Sequence, residues 1–160
     1  RIAAEAGLSK GAVYYHYASK AGLFEQVVRD AQRDLVGRIE ARAVASKPGL
    51  TSIVAGCEAF LATALDDELR QVLLVDAPTV LGWSAWRAID GEYGLGSLKE
   101  GLRECRRAGL LKGLDINALA HLISGALNEA VFVVAESADR ASTHRQVVAT
   151  MRRLIMALEG

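Results

Sequence analysis

The stretch from Ile2 to Tyr17 constrains the fold of this chain more than any other segment. Ile2 and Ala6 are four residues apart and therefore share one face of a helix. Gly7 follows where a helix C-cap favours a left-handed backbone, and Ser9 is a typical N-cap for a next helix. The pattern predicts two short helices around a tight turn, the form of a helix-turn-helix whose second helix enters the major groove of DNA.

The same stretch also carries a family signature. Residues 2–23 contain the run Ile-Ala-x-x-Ala-Gly-x-Ser-x-Gly-x-Val-Tyr-x-His-Tyr-x-Ser-Lys-x-x-Leu, which resembles the signature of the tetracycline-repressor (TetR) family of bacterial regulators. The resemblance implies double-stranded operator DNA as a partner. The residues it assigns to DNA are Ser9 as the cap of the recognition helix, Lys10, Gly11, Ala12, Tyr15 and His16 at base edges or backbone, and Tyr14 and Lys20 at phosphates.

The chain starts with Arg1, which already lies inside the first predicted helix. Members of the family that it resembles begin with a further helix, which would cover Ile2, Ala6 and Val13. A two-helix unit has too little core to be stable alone. We therefore expect the natural chain to have residues before Arg1.

The overall charge gives no sign of nucleic-acid binding, because 19 basic and 19 acidic residues cancel. DNA-binding domains usually show a basic excess. The distribution matters more than the sum. Glu5 is the only acidic residue before Glu25, so the predicted helix-turn-helix is locally positive.

The cellular compartment is indicated by two cysteines, Cys57 and Cys105, which are far apart and lack metal-ligand spacing. This usage favours a reducing cytoplasm over a disulfide framework. Polar or charged residues interrupt every apolar stretch before it reaches the length of a membrane span, so we expect no membrane partner.

Apolar residues recur at helical spacing from Ser19 to the end of the chain, which predicts an all-α fold. Ser19 caps a long helix that Lys47-Pro48-Gly49 stops, and Asp76-Ala77-Pro78 predicts a break between helices. Later helices are predicted from residue 79 with a kink around Tyr93-Gly96, over 116–136 after the cap Asp115, and over 141–158. We place a helix-turn-helix head with its connecting helix at residues 1–45, and a helical effector-binding and dimerisation domain at residues 46–160.

Trp83 and Trp86 are the only tryptophans and are three residues apart on a predicted helix. The residues alone leave open whether they pack in a core or line an effector cavity, and the family resemblance favours the cavity. Such a cavity would be mostly apolar with few polar groups. The candidate effector-binding residues are Cys57, Phe60, Leu61, Trp83, Trp86, His121 and Asn128.

The last two predicted helices offer more apolar surface than one subunit needs. This surplus predicts a homodimer whose interface is a four-helix bundle, as the family resemblance also implies. The candidate interface residues are Leu119, Leu122, Ala126, Met151, Leu154, Ile155 and Leu158. His121 and Ser124 share a polar stripe that could face the cavity, the partner subunit or water, with the first two favoured equally.

Catalytic signatures are missing from the sequence: it has no glycine-rich phosphate loop, His-Glu-x-x-His pair, serine elbow or Cys-x-x-Cys. We therefore expect no enzymatic activity, no metal and no cofactor. The function that fits best is a DNA-binding transcriptional regulator, a repressor that a small apolar effector releases from its operator. The alternative is a helical small-molecule-binding protein with a non-functional DNA-binding head.

Overall fold

The structure, a computed structural model, describes residues 19–159. Its helices, numbered from the first described one, are α1 (Lys20–Val44), α2 (Leu50–Leu61), α3 (Asp67–Arg70), α4 (Ala77–Leu81), α5 (Trp83–Glu92), α6 (Gly94–Arg107), α7 (Ile116–Ala135) and α8 (Arg140–Met156). Short 3-10 helices follow α2 and α8, at Ala62–Leu65 and Ala157–Glu159, and a π-helical segment, Gln71–Asp76, joins α3 to α4. Between residues 19 and 159 there is no strand, and the predicted all-α class is confirmed.

Side-chain caps begin two long helices where the sequence predicted them. The Ser19 hydroxyl accepts a hydrogen bond from the backbone N–H of Gly22 at 3.0 Å. The Asp115 carboxylate accepts one from the backbone N–H of Ala118 at 2.7 Å. Each cap satisfies a backbone donor that the first turn of a helix leaves without a partner.

The predicted break at Asp76-Ala77-Pro78 is wrong. The chain stays helical through α3, the π-helical segment and α4, and the N–H of Ala77 bonds to the carbonyl of Val72, five residues earlier. Because the ring of Pro78 clashes with the carbonyl four residues before it, a wider turn accommodates the proline without ending the helix. The break comes at Gly82, whose φ of 82° favours glycine.

The predicted kink between α5 and α6 is confirmed at Tyr93, where φ is −108° and ψ is −93°. Gly96 allows the two helices to approach closely across this joint. A Cβ at Gly96 would lie 2.8 Å from the carbonyl oxygen of Gly91, which is closer than such atoms pack. The glycines that interrupt this helical pattern therefore shape the joint.

Two groups of buried side chains hold the helices together. The larger, the main core, joins α2, α6, α7 and α8, and its most deeply buried members include Leu61, Leu102, Val131 and Ile155. The smaller, the α1 cluster, joins α1 to α4, α5 and the π-helical segment through Val28, Leu35, Leu73, Ala77, Trp86 and Ile89. Phe60 packs against both groups, so α1 is fixed to the rest of the molecule by apolar contacts.

By length and composition alone, α7 is apolar enough to cross a membrane, although core helices of globular proteins pass the same test. This result reflects average hydropathy, because Ser124, Asn128 and Glu129 still interrupt the apolar run of α7. Single polar residues such as Ser124 and Asn128 reduce the average apolar character of a 20-residue helix only slightly. Only 28% of the most apolar stretch of α7 is buried within the subunit, so the helix has apolar surface that its own chain leaves exposed.

We expect Gly96→Ala to lower the free energy of unfolding by about 1–3 kcal/mol, because the added methyl group would force the α5–α6 joint apart. Gly91→Ala is the matched control, since a Cβ there has no neighbour within 4 Å. Alanine is favoured over glycine inside a helix by about 1 kcal/mol, so the control should be neutral or stabilising. Urea unfolding followed by circular dichroism compares the two; equal effects would contradict the close approach.

Candidate functional site

A cavity of about 430 Å³ lies between α1, α2, the α5–α6 joint, α6 and α7. The last turns of α1 form one wall of the cavity, and the middle of α7 forms part of another wall. Its apolar lining includes Ile39, Val44, Ile53, Cys57, Phe60, Leu95, Leu98 and Leu127. A mostly apolar cavity of this volume has the size and character of a site for a small organic molecule.

The cavity also has a few polar groups. Ser124 and Asn128 line it from α7, and four acidic residues, Glu40, Asp90, Glu100 and Glu104, also line it. The hydroxyl of Ser97 donates to Oε1 of Glu40 at 3.1 Å, which joins α6 to α1 at the cavity wall. A molecule in the cavity would therefore lie against α1 and against the bond that holds α1 to α6.

Asp90 is an acidic side chain at the cavity that is only 8% exposed. Nη1 of Arg87 donates to its Oδ2 at 2.6 Å, and the guanidinium of Arg87 lies over the rings of Trp83 and Trp86 at 5.9 and 5.5 Å. Burial raises the pKa of Asp90 above its ordinary value, and the charge of Arg87 opposes this rise. Asp90 thus places a mostly buried carboxylate on the cavity wall that α5 forms.

Cys57 lines the cavity from α2 and is 3% exposed. Burial, together with the nearby charge of Glu58, raises the pKa of the Cys57 thiol to about 12. The side chain is therefore a neutral, apolar part of the wall at physiological pH. Within residues 19–159, no group of three or more His, Cys, Asp or Glu side chains is placed to hold a metal ion.

Three of the predicted effector-binding residues line this cavity: Cys57, Phe60 and Asn128. The placement of Leu61 at the same cavity is wrong, because its fully buried side chain packs in the main core. His121 also lies elsewhere, on the exposed side of α7, where its ring nitrogens contact Arg87 and Lys99 at 3.2 and 3.3 Å.

The two tryptophans are not at the cavity either, and the prediction that they line it is wrong. Trp86 is buried in the α1 cluster, and its Nε1–H donates to the carbonyl of Leu73 at 2.8 Å. Trp83 is 66% exposed and packs beside Trp86 with ring centroids 4.9 Å apart. Trp86 therefore serves the packing of α5 in the α1 cluster, whereas Trp83 stays largely exposed beside it.

The cavity residues that the sequence analysis missed lie on α1 and α6. Ile39 and Glu40 belong to a helix whose amphipathic pattern indicated only core packing and a solvated face. Gly94 and Gly101 line the cavity from α6, and Gly94 lies in the Tyr93-Gly96 stretch where the sequence predicted only a kink. Glycines on a helix beside a cavity remove side chains that would fill it, and their clustering was the one signal available.

Most predicted DNA-binding residues, namely Ser9, Lys10, Gly11, Ala12, Tyr14, Tyr15 and His16, lie outside the described residues. Lys20 is described. It is the first residue of α1, directly after the cap Ser19, and its side chain is exposed.

The predicted interface residues divide into two sets. Leu122 and Leu154 are 72% and 60% exposed, Ala126 is exposed, and Leu119 and Leu158 are partly buried. Met151 and Ile155 are buried in the main core of their own subunit, so their placement in the interface is wrong. Helical periodicity groups both sets together because neighbouring stripes on α8 are all apolar.

Comparisons with known proteins agree over nearly the whole chain. Residues 50–158 match the family model described as tetracyclin repressor-like, C-terminal domain, and residues 1–27 match that of bacterial regulatory proteins, tetR family. The chain is similar to the crystal structure of a TetR-family transcriptional regulator from Pectobacterium atrosepticum, with 31% identity and a TM-score of 0.78. That match covers 98% of this chain and 80% of the other. No curated protein matches this chain.

We expect Cys57 to react with iodoacetamide at pH 8 on the order of a thousandfold more slowly than an exposed cysteine, because so little thiolate forms at its raised pKa. Peptide mass spectrometry separates Cys57 from Cys105, and the same protein unfolded in guanidinium is the control. Equal labelling rates in the folded and unfolded protein would contradict the buried, neutral thiol.

Proposed function

Since this chain belongs to the TetR family of DNA-binding transcriptional regulators, we propose that it is a repressor that a small, largely apolar effector releases from its operator. The observation that carries the proposal is the position of α1. Its first residues, Lys20 to Val27, lie within the match to the family's DNA-binding model, and residues 39–44 contribute to the cavity wall. One helix thus belongs to both functions.

The length of α1 makes this arrangement effective. Its 25 residues form a rod of about 37 Å at 1.5 Å per residue. A movement of the end at the cavity is carried along such a rod to the segment that binds DNA. We take residues 1–45 as the head with its connecting helix and residues 46–160 as the effector-binding and dimerisation domain.

Two polar contacts link α1 to the helices beside the cavity. One is the hydrogen bond from Ser97 to Glu40 at the cavity wall. The other is the ion pair of Arg29 with Glu92, at 2.5 Å, directly before the α5–α6 joint. The carboxylates of Glu92 and Glu25 raise the pKa of Arg29, so the guanidinium keeps its charge. An effector can move α1 to a new position only to the extent that it binds more tightly to the protein with α1 in that position.

The DNA contacts follow the family pattern. Tyr14 and Lys20 hold phosphates and set the position of the head, while Lys10, Tyr15 and His16 contribute to base readout. Ser9 caps the recognition helix, and the small residues Gly11 and Ala12 let it approach the groove. In a symmetric dimer, two such helices enter successive major grooves about 34–36 Å apart.

A homodimer provides that symmetry, and the uncovered apolar surface of α7 and α8 supports it. Leu122 and Leu154 expose most of their side chains, and Val133 on α7 is 47% exposed. Pairing α7 and α8 with their copies in a four-helix bundle would remove this surface from water. The proposed location of the dimer, with its operator, is the cytoplasm, and we propose no catalytic activity or cofactor.

A selection from a random duplex DNA library by the full chain tests the function. Enrichment of a sequence with two related half-sites is expected, because a symmetric dimer reads two successive grooves. If the protein binds small molecules but enriches no sequence, the repressor proposal fails and a small-molecule-binding protein with an inactive head takes its place.

Lys20→Ala is expected to weaken binding to every duplex, selected or random, and to lower the slope of log K against log salt by about 1, because one phosphate contact is lost. Lys112→Ala is the matched control, since Lys112 is exposed in the loop between α6 and α7. Fluorescence anisotropy at several salt concentrations measures the slope. A slope that Lys20→Ala leaves unchanged would remove Lys20 from the DNA contact.

The double variant Leu122→Glu/Leu154→Glu is expected to be monomeric while it keeps its helical content, because both side chains are exposed in the isolated subunit. Val80→Glu is the control, a 55% exposed apolar residue on α4. Light scattering after size-exclusion chromatography gives the mass. A double variant that stays dimeric would place the interface on another surface.

A further inference from the structure

The charge of the cavity wall is one-sided. Within residues 19–159, the charged side chains that line the cavity are all carboxylates, Glu40, Asp90, Glu100 and Glu104, and no Lys, Arg or His lines it. Asp90 is buried, whereas Glu40, Glu100 and Glu104 are exposed, so the apolar surface lowers the local dielectric constant most around Asp90. The wall therefore selects ligands by the sign of their charge.

Neighbouring cations compensate only part of this charge. Glu100 forms ion pairs with Arg103 and Arg107 at 3.2 and 2.6 Å, and Asp90 forms one with Arg87 at 2.6 Å. Among the described residues, Glu40 and Glu104 form no ion pair. The contact of Glu40 is the hydroxyl of Ser97, which brings no charge. The cavity thus keeps a negative potential.

Two deeply buried polar side chains have hydrogen-bonding capacity left over. Asp90 and Ser124 are each 8% exposed and line the cavity. Arg87 occupies only Oδ2 of Asp90, and across residues 19–159 neither Oδ1 of Asp90 nor the hydroxyl of Ser124 has a hydrogen-bond partner. Gly94 has no side chain to cover Oδ1; a Cβ there would lie 3.4 Å from Oδ1 of Asp90 and 4.0 Å from Oε1 of the buried Gln32.

We propose that the effector is an organic cation, with an apolar body against Ile39, Ile53 and Phe60 and an ammonium group held by Asp90 and Glu40. Hydrogen bonds between an ammonium and a carboxylate are charge-assisted and stronger than neutral ones. A carboxylate on the ligand would instead face like charges, that of the buried Asp90 among them. This inference rests on the proposed function, because it names the chemical class that the effector cavity binds.

The location of Glu40 gives the cation a direct route to the DNA-binding head. Glu40 belongs to α1, whereas Asp90 belongs to α5. In this proposal, an ammonium group that reaches both residues would compete with Ser97 for Glu40 and would link α1 to α5. The charge of the effector thus acts on α1, the helix that carries the DNA-binding head. Its apolar body contributes to affinity by burying apolar surface.

The test is isothermal titration of the full chain with matched probes that differ only in the terminal group: 4-phenylbutylamine, 4-phenylbutanol and 4-phenylbutyrate. A second series with a decyl body controls for shape. In the better-fitting series we expect the amine to bind about tenfold or more tightly than the alcohol, and the carboxylate to bind most weakly.

Charge-removing variants locate the preference. Glu40→Gln and Asp90→Asn should each bring the amine-to-alcohol ratio of affinities close to one, while binding of the alcohol stays the same. Glu68→Gln, on the exposed surface of α3 and away from the cavity, is the matched control and should keep the full ratio. Because Glu40 is exposed, its variant decides the question even where Asp90→Asn fails to fold.

The outcomes separate this inference from the proposed function. Binding in which the alcohol or the carboxylate equals the amine overturns the organic cation and leaves the effector cavity in place. A preference for the amine that both cavity variants keep also overturns the inference, because the charge would then be recognised elsewhere. Failure of every probe in both series to bind contradicts both the inference and the effector cavity.

Discussion

The packing of α1 on the body is the interaction on which the rest of the structure depends. Val28 and Leu35 on α1 are buried against Trp86 and Ile89 on α5, and further along the same helix Ile39 and Glu40 form part of the cavity wall. Since a helix of this length moves as a rod, the contacts of its second half set the direction of its first half. In the proposed function, a small displacement at the cavity would therefore move the first residues of α1.

Glycines make the cavity and the joint beside it possible. A Cβ at Gly101 would lie 2.8 Å from Cδ1 of Ile53, and one at Gly56 would lie 3.2 Å from Cγ2 of Ile39. At these two glycines, the backbone of one helix thus packs against an isoleucine side chain of its neighbour. The acidic residues on the wall then give the apolar cavity a negative potential. Ligands of equal shape are therefore distinguished by their charge.

Local signals in the sequence predicted the helical class, the caps at Ser19 and Asp115 and the kink at Tyr93, because each depends on residues close together in the chain. The cavity was predicted in part: Phe60 and Asn128 line it, whereas Trp86 packs on α1. Periodicity shows that a side chain is buried but not which neighbour buries it, and that neighbour decides between cavity, core and interface. The same ambiguity placed Ile155 in the wrong group. The widened turn at Pro78 depends on how the preceding helix is held in place, which local preference does not show.

The most direct test of the central claim is a distance measured between the two copies of α1 in the dimer. Asp34 is exposed on α1, so Asp34→Cys accepts a spin label that the buried native cysteines exclude. Pulsed electron resonance is then recorded with and without a compound that raises Tm in the full chain but not in Ser124→Trp, in which the cavity is filled. We predict that the compound shifts the distance between the two labels. A distance distribution that the bound compound leaves unchanged would contradict the account.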